Sequence, residues 1–337
     1  MPVHKYRLKF TAPLHISARG VQFEQVSQII HSDTLFGALV NAWGLLYPKE
    51  VDDFFTDAGP PFLLSSAFPY FGNWEFFPRP LALRLPESLA PEKQIGLNKK
   101  FKRVQFVESR AFNAILAGQT PPFDPAGTLS DGKFWLAAPP TDEHFILRQE
   151  EMPRVVIDRY TSSANNYFVS ELYFEDDGGL FFLVRFEEDS LRSKFEAVLR
   201  LLGDEGLGLD RSSGKGMFEV ECTSLFNLPE PANATRFVTL SLFHPTEKEI
   251  VSCLLTNASY ELVHRSGWIT TPGRATPFRR QTLTMFAEGS VFTALPVQSY
   301  GDMPAVLKEE FIKKNLDHGV FRYGYAFPVG MAGGIDL

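Results

Sequence analysis

Residues Gly203–Phe218 read GDEGLGLDRSSGKGMF. Five glycines fall within 14 residues (Gly203, Gly206, Gly208, Gly214, Gly216), and Arg211, Ser212, Ser213 and Lys215 lie between them. Glycine tolerates positive φ and lets a second backbone come close. Successive amides in such a turn form a concavity suited to anions. The two cations and two hydroxyls add donors for a phosphate. The composition therefore suits a sugar-phosphate backbone. A Walker A loop is excluded, because five residues separate Gly208 from Gly214 and Gly216 follows Lys215, where that motif needs four residues and a hydroxyl. The plain alternative is a ligand-free surface connection.

The flanks favour more than a connection. Leu191, Phe195, Val198, Leu199 and Leu202 share one helical face, with Gly203 as the expected stop. Met217–Cys222 then alternates like a strand. Helix, glycine loop and strand make the closing half of a β-α-β-β-α-β unit. The opening half lies at the start of the chain. His4–Phe10 alternates as a strand and ends at Pro13, followed by Leu14, His15, Ile16 and Ser17. A helix then opens with Ser32 or Asp33 as the expected cap and Leu35, Leu39, Trp43 and Leu46 as its buried stripe. His31, Ser32 and Thr34 at its start make a place for a phosphate, or a plain capped helix.

Between these halves, residues 59 to 170 are rich in Pro, Phe and turns and predict a β-rich insertion. Within it, Lys99, Lys100, Lys102 and Arg103 surround Phe101, which suits single-stranded nucleic acid through charge and stacking, or a solvated loop. Arg154–Ile157 and Tyr167–Phe174 predict a hairpin whose tip, Asp158–Asn166, carries Arg159 and Thr161. NLPEPANAT at 227–235 marks a boundary. Beyond it, a strand at Phe237–Phe243, a capping box at Thr246–Glu249, and strands at Tyr260–His264 and Arg280–Phe286 again open β-α-β. The expectation is an α+β protein of two ferredoxin-like (RRM-like) domains, 1–226 and 235–337, the first holding the insertion and the glycine-rich loop. The terminal Gly324-Tyr325-Ala326-Phe327 matches part of the base-stacking strand of RRM domains, but Pro328 stands where Val belongs. Loops rather than the sheet are then expected to bind RNA.

Composition bounds the rest. The 337 residues carry a net charge of −7, so any nucleic-acid contact must be local. Cys222 and Cys253 are the only cysteines, which excludes a disulfide framework and a cysteine zinc site. The start MPVHKYRLKF is charged and alternating, unlike a signal peptide, and no apolar run is long enough for a membrane span. A reducing cytoplasm is the expected setting.

HSDTLFGAL, AFPYFG, FFPRP, IDRYTSSANNYF, GLGLDRSSGKGMF and FRYGYAFPVG occur in this order and cover nearly the whole chain. Together they resemble the family of the fourth subunit of the Csm complex, RAMP-superfamily proteins of type III-A CRISPR effectors. The resemblance implies a non-catalytic subunit that caps the base of the ribonucleoprotein and holds the repeat-derived 5′ handle of the CRISPR RNA (crRNA). It implies two protein partners, the large palm-domain signature subunit and the first backbone subunit, and no cofactor. By the same resemblance, Gly208, Arg211, Ser212, Ser213, Gly214, Lys215 and Gly216 line the handle groove with His31, Ser32 and Thr34. Asp158–Asn166, with Arg159 and Thr161, and Lys99–Arg103 are candidates for a thumb-like hairpin. His15, Ser17 and Arg79 complete the candidate RNA contacts.

The competing chemistry is a metal-independent RAMP endoribonuclease, in which His15 or His31 activates a 2′-hydroxyl. Neither sits in a recognisable His–Tyr–Lys set, and the seven histidines show no metal-ligand spacing. Asp33 reads as a helix cap rather than a metal ligand.

Overall fold

The computed structural model describes residues 2–16, 26–56, 59–85, 91–139, 147–229, 231–252, 254–269, 278–295, 299–316 and 318–333. In chain order the first half comprises β1 (Val3–Phe10), α1 (Ser32–Leu46), β2 (Phe62–Leu64), β3 (Phe68–Phe71), β4 (Trp74–Pro78), α2 (Pro91–Phe101), β5 (Phe106–Glu108), α3 (Ser109–Leu116), β6 (Thr128–Leu129), β7 (Phe134–Trp135), β8 (Leu147–Ile157), β9 (Ala164–Phe174), β10 (Gly178–Phe186), α4 (Arg192–Glu205) and β11 (Phe218–Leu225). The main sheet runs β11-β1-β10-β3-β4-β5-β7-β6, with β2 also paired to β10. β1, β10, β11, β2 and β3 pair antiparallel throughout.

The centre of this sheet follows from the alternation in the sequence. Tyr6 and Leu8 on β1 are fully buried, as is every residue of Leu180–Val184 on β10. Burial on both faces explains why β10 reads as a continuous apolar run. α4 buries Phe195, Val198, Leu199 and Leu202, the stripe expected from spacing. The Tyr6 ring stacks on Phe182 at 5.5 Å and meets Phe195 at 5.3 Å. α4 ends later than expected, at Glu205 with Gly206 as its C-cap, and Gly203 instead lets Phe218 of β11 press onto the helix. On α1 the stripe is Leu35, Phe36, Leu39, Ala42 and Trp43. Leu46 is exposed, because the helix ends there.

The segment expected as an insertion is not a separate body. Residues 62–71 supply β2 and β3, the direct neighbours of β10, and β4, β5, β7 and β6 continue the same sheet. Phenylalanines weld the extension to the centre: Phe77 of β4 meets Phe181 of β10 edge-on at 5.3 Å and stacks on Phe112 of α3 at 4.6 Å. β8 and β9 form a hairpin paired along its whole length, from Leu147 with Phe174 to Ile157 with Ala164. The outer half of that hairpin is exposed while its base, Val169–Leu172, is buried.

The second half comprises β12 (Ala234–Thr239), α5 (Glu247–Val251), β13 (Leu262–Arg265), β14 (Trp268–Ile269), β15 (Phe278–Arg279), β16 (Leu283–Phe286), β17 (Val291–Thr293), α6 (Glu309–Asn315) and β18 (Pro328–Ala332). It is not a regular copy of the first. Its sheet has three strands, β17-β12-β18, while β13 pairs with β16 and β14 with β15 as short hairpins. α5 has the expected capping box, Thr246 with Glu249, but only five residues. A helix so short cannot cover a sheet, and the first half does so instead. Val238, Leu240, Val291, Tyr323, Phe327, Val329 and Met331 share one core with β1, α1 and β10. A smaller cluster around Phe237, Phe243, Phe286 and Phe292 belongs to the second half alone. Among the described residues no helix is long and apolar enough to cross a membrane.

Candidate nucleic-acid interface

The glycine loop folds back on the exit of β1. Leu207 N–H donates to the Gly216 carbonyl and Gly216 N–H to the Pro13 carbonyl, both at 2.9 Å. Leu209 N–H donates to the His15 carbonyl at 2.9 Å. Gly216 has φ +70°, and a Cβ there would strike the Leu207 backbone. Ser213 and Gly214 donate to the carbonyls of Asp210 and Arg211 at 2.9 Å. Many of the loop amides are therefore already donated within the fold. The loop contributes shape and the exposed side chains of Arg211, Ser212 and Ser213 more than the row of open amides its composition suggests. Lys215 is committed as well: its Nζ lies 2.8 Å from Glu171 Oε2 at the base of the hairpin. Burial alone would raise the Glu171 pKa, but hydrogen bonds from Lys215, Tyr173 and Arg154 hold it below the ordinary value.

A cleft of about 350 Å³ opens where this loop meets the start of α1 and the second half of the chain. His15, Thr34, Gly208 and Arg211 line it, together with Arg265, Trp268, Arg280 and Arg322. Its floor is organised by Asp33. Arg265 donates from Nε to Asp33 Oδ2 and from Nη2 to Oδ1, both at 2.9 Å, and Nη2 also reaches Thr34 Oγ1 at 2.9 Å. Arg322 Nη1 is bonded to the same Oδ2. Burial would raise the Asp33 pKa, yet the charges of Arg265 and Arg322 and the Arg265 hydrogen bonds hold it well below the usual carboxylate range. Burial lowers the His15 pKa against the opposing charges of Asp210 and Glu171, so its imidazole is neutral at neutral pH.

The other expected positions divide by location. The start of α1 is split. His31 is its N-cap, with no side-chain cap bond, and its Nδ1 lies 2.8 Å from the buried carboxylate of Glu288, which Ser66 also binds. Ser32 is fully buried: its N–H donates to Ser66 Oγ at 2.8 Å and its Oγ accepts from Leu242 N–H at 3.1 Å. Both residues tie the two halves of the chain together, and only Thr34 of the three faces the cleft. Asp33 is not the cap; it is the acceptor for two guanidiniums. Arg79 donates from Nε to the Val104 carbonyl at 2.9 Å and lies 5.1 Å over the Phe101 ring. Lys99 and Lys100 in the last turn of α2 and Lys102 and Arg103 just after it are all exposed. The ring between them is not available for stacking, because Phe101 is buried against Phe123 and Trp135. Arg159 and Thr161 sit on the exposed hairpin tip, whose turn is closed by Tyr160 and Thr161 N–H groups donating to Asp158 Oδ1 at 2.7 and 3.1 Å. Ser17 lies outside the described residues.

The sequence reading missed Arg265, Trp268, Arg280 and Arg322. Arg322 stands inside the terminal FRYGYAFPVG, whose aromatics turn out to be structural: Tyr323 and Phe327 are buried, and Tyr323 Oη accepts from Leu64 N–H at 2.9 Å. Arg322 is the polar residue of that motif aimed at the site, which was a usable signal. Arg265 and Arg280 flank the Ser266-Gly267-Trp268 turn without any pattern that marks them.

Comparison with known proteins settles the family. The RAMP superfamily matches residues 7–219, and the CRISPR Csm4 C-terminal domain matches residues 232–331. The chain belongs to the RAMP superfamily and, within it, to the Csm4 family. A relative from Thermococcus onnurineus (strain NA1), the CRISPR system Cms protein Csm4, is 27% identical over 328 residues, covering 95% of this chain and 97% of its own. A Mycobacterium tuberculosis protein of the same name is 35% identical over 133 residues, 39% of this chain and 42% of its own. Among solved structures, a chain of the Csm1-Csm4 cassette in complex with cA4 has TM-score 0.63 and 23% identity, covering 98% of both chains. A chain of the Csm3-Csm4 subcomplex in the type III-A CRISPR-Cas interference complex has TM-score 0.63 and 19% identity, covering 98% of this chain and 99% of that one. The Csm4 fold thus accounts for the second half as well as the first.

Proposed function

We propose that this Csm4-family chain is a non-catalytic, crRNA-binding subunit of a type III-A Csm ribonucleoprotein. It holds the 5′ handle and bridges the large palm-domain subunit to the backbone subunits in the cytoplasm. The observation that carries the reading is the cleft: Arg211, Arg265, Arg280 and Arg322 converge there in a protein whose overall charge is −7. A local cationic surface on an acidic chain suits one nucleic-acid segment rather than a general coating. The order β11-β1-β10-β3, with α1 and α4, supports a ferredoxin-like reading of residues 1–226, with residues 235–337 as a second unit packed on the first. Splayed handle bases in pockets would supply specificity and phosphate contacts the affinity. The Csm1-Csm4 and Csm3-Csm4 assemblies supply the partner assignment by analogy.

No observation favours the endoribonuclease. His31 is engaged by Glu288, and its neighbours Ser32 and Ser66 bind backbone and carboxylate rather than an open site. The test is affinity purification of tagged protein from its native cells, with sequencing of the bound RNA. The expected result is co-purified large and backbone subunits with RNAs that share one repeat-derived 5′ end. A lone protein that cuts repeat RNA without metal would overturn the reading.

A further inference from the structure

We propose that the arginine cleft is a subsite for a single unstacked nucleotide, its phosphate held between Arg280 and Arg322 and its base stacked on Trp268. The inference rests on the RNA-binding reading and gives that site its ligand chemistry.

The charges in the cleft are out of balance. Arg265, Arg280 and Arg322 converge around one carboxylate, and Asp33 is already saturated by Arg265 and Arg322. Glu288, which also acts on Arg265, is bound by His31 and Ser66. Arg280 feels the Asp33 charge at a distance, but its Nε is buried without a hydrogen bond. Arg322 is 4% exposed, and its Nε is likewise buried without a partner. Burial, with the charges of Arg322 and Arg265, holds the Arg280 guanidinium below its ordinary pKa. Buried donors on clustered guanidiniums are costly unless an anion completes them. A phosphate is the anion whose geometry matches the guanidinium fork.

An inorganic ion alone would leave the rest of the cleft unexplained. Trp268 lines it and is 50% exposed, whereas Trp43 and Trp135 are buried. The turn that carries it is fixed by the same arginines. Arg322 Nη2 donates to the Ser266 carbonyl at 3.1 Å, and Arg280 N–H donates to the Gly267 carbonyl at 2.9 Å. Nothing lies within 4 Å of the Cβ position of Gly267, so space remains beside the indole. A volume of about 350 Å³ lies at the small end of ligand pockets and suits one nucleotide rather than a run. Base on indole with phosphate on guanidinium is the pairing used for single strands.

The occupant is either one residue of a bound RNA or a free mononucleotide, and one experiment separates them. Tagged complex from native cells is irradiated at a wavelength that cross-links bases to aromatics, treated with nuclease, and analysed for a nucleotide adduct on the Trp268 peptide. The full chain purified alone is treated in the same way with AMP. An adduct in the complex assigns the site to RNA, and an adduct only with AMP assigns it to a free nucleotide. In either case Arg280→Ala should reduce the adduct roughly tenfold or more, the scale of losing one hydrogen bond to a charged group. Arg280→Lys and Trp268→Phe, which keep charge and ring, should retain substantial adduct and exclude misfolding as the cause of the loss. If RNA with a common 5′ end co-purifies but no adduct forms in either arm, the subsite is overturned while handle binding stands. If no RNA co-purifies, handle binding fails, and the AMP arm alone decides the subsite.

Discussion

Two groups of cations offer charge to an RNA, and the fold treats them oppositely. Arg265 and Arg322 are clamped on Asp33 in the floor of the cleft, and Arg322 is almost wholly buried. Lys99, Lys100, Lys102 and Arg103 project from the end of α2 into solvent, with no ion pair among the described residues. The arginines are positioned before any ligand arrives, and the fold carries their desolvation. The lysines strain nothing, but they must be ordered by whatever they bind and are screened by salt. A preorganised site belongs where one phosphate must be held in one place. A mobile basic edge belongs where proximity to a long polyanion need only be favourable. Each substitution below bears on that division.

The largest effect belongs to the clamp. Asp33→Ala leaves two guanidiniums buried against each other and should destabilise the protein by about 3–5 kcal/mol, the range for breaking a buried ion pair from one side. Urea unfolding at neutral pH measures it, and an effect below about 1 kcal/mol, the scale of an exposed pair, would mean that the arginines are solvated and the cleft is not preorganised. The pH dependence has a definite sign. The Asp33 pKa in the fold lies below its ordinary 3.8. Its contribution is therefore complete above about pH 4 and is lost as pH falls from there towards the lower folded value. Asp33→Asn should accordingly be less stable than the parent at neutral pH, with the gap closing only in strong acid.

The scaffold of the cleft comes next. Gly216→Ala places a Cβ into the Leu207 backbone at φ +70° and should cost about 2–4 kcal/mol, from backbone strain plus overpacking. Gly214 also has positive φ, +76°, but open space around it, so Gly214→Ala should cost only about 1–2 kcal/mol. Equal losses in thermal unfolding would show that the loop is not packed against β1. Lys215→Met should cost about 1.5–3 kcal/mol by removing a charged hydrogen bond from buried Glu171. A comparable loss of RNA affinity at unchanged stability would instead return Lys215 to the RNA.

These cases also mark how far the sequence could be read. β1, α1 and α4 follow from the period of their buried faces, and β11 and the β8–β9 hairpin from strand-like runs beside glycine-rich or polar turns. The glycine loop was legible as a loop at the site, but its partners were not. Lys215 meets Glu171 and Leu209 meets His15 across long sequence separations, which only the folded register decides. Phe101 looked like a stacking ring because basic residues flank it, whereas α2 turns it onto Trp135. Arg265, Arg280 and Arg322 lie far from Asp33 in the chain and near it in space. A short α5 and a three-stranded sheet leave the second half dependent on the first for its core. That dependence brings its arginines to α1, and no local pattern announces it.

The smallest effect on the fold falls at the exposed group, and it is the sharpest test of the division. Replacing Lys99, Lys100 and Lys102 together by Ala removes three charges from an exposed helix end and should change stability by less than about 0.5 kcal/mol. Its effect should appear in RNA binding by the assembled complex. If these lysines neutralise phosphates, removing each one makes the dependence of log K on log salt shallower by roughly 0.7 for a single strand. Affinity should then fall at low salt and converge with the parent as salt rises. Arg280→Ala differs in kind, because a buried phosphate pair is poorly screened and its deficit should persist at high salt. A lysine triple variant whose deficit also persists would place α2 inside a closed interface, and the distinction between a preorganised site and a mobile edge would fail.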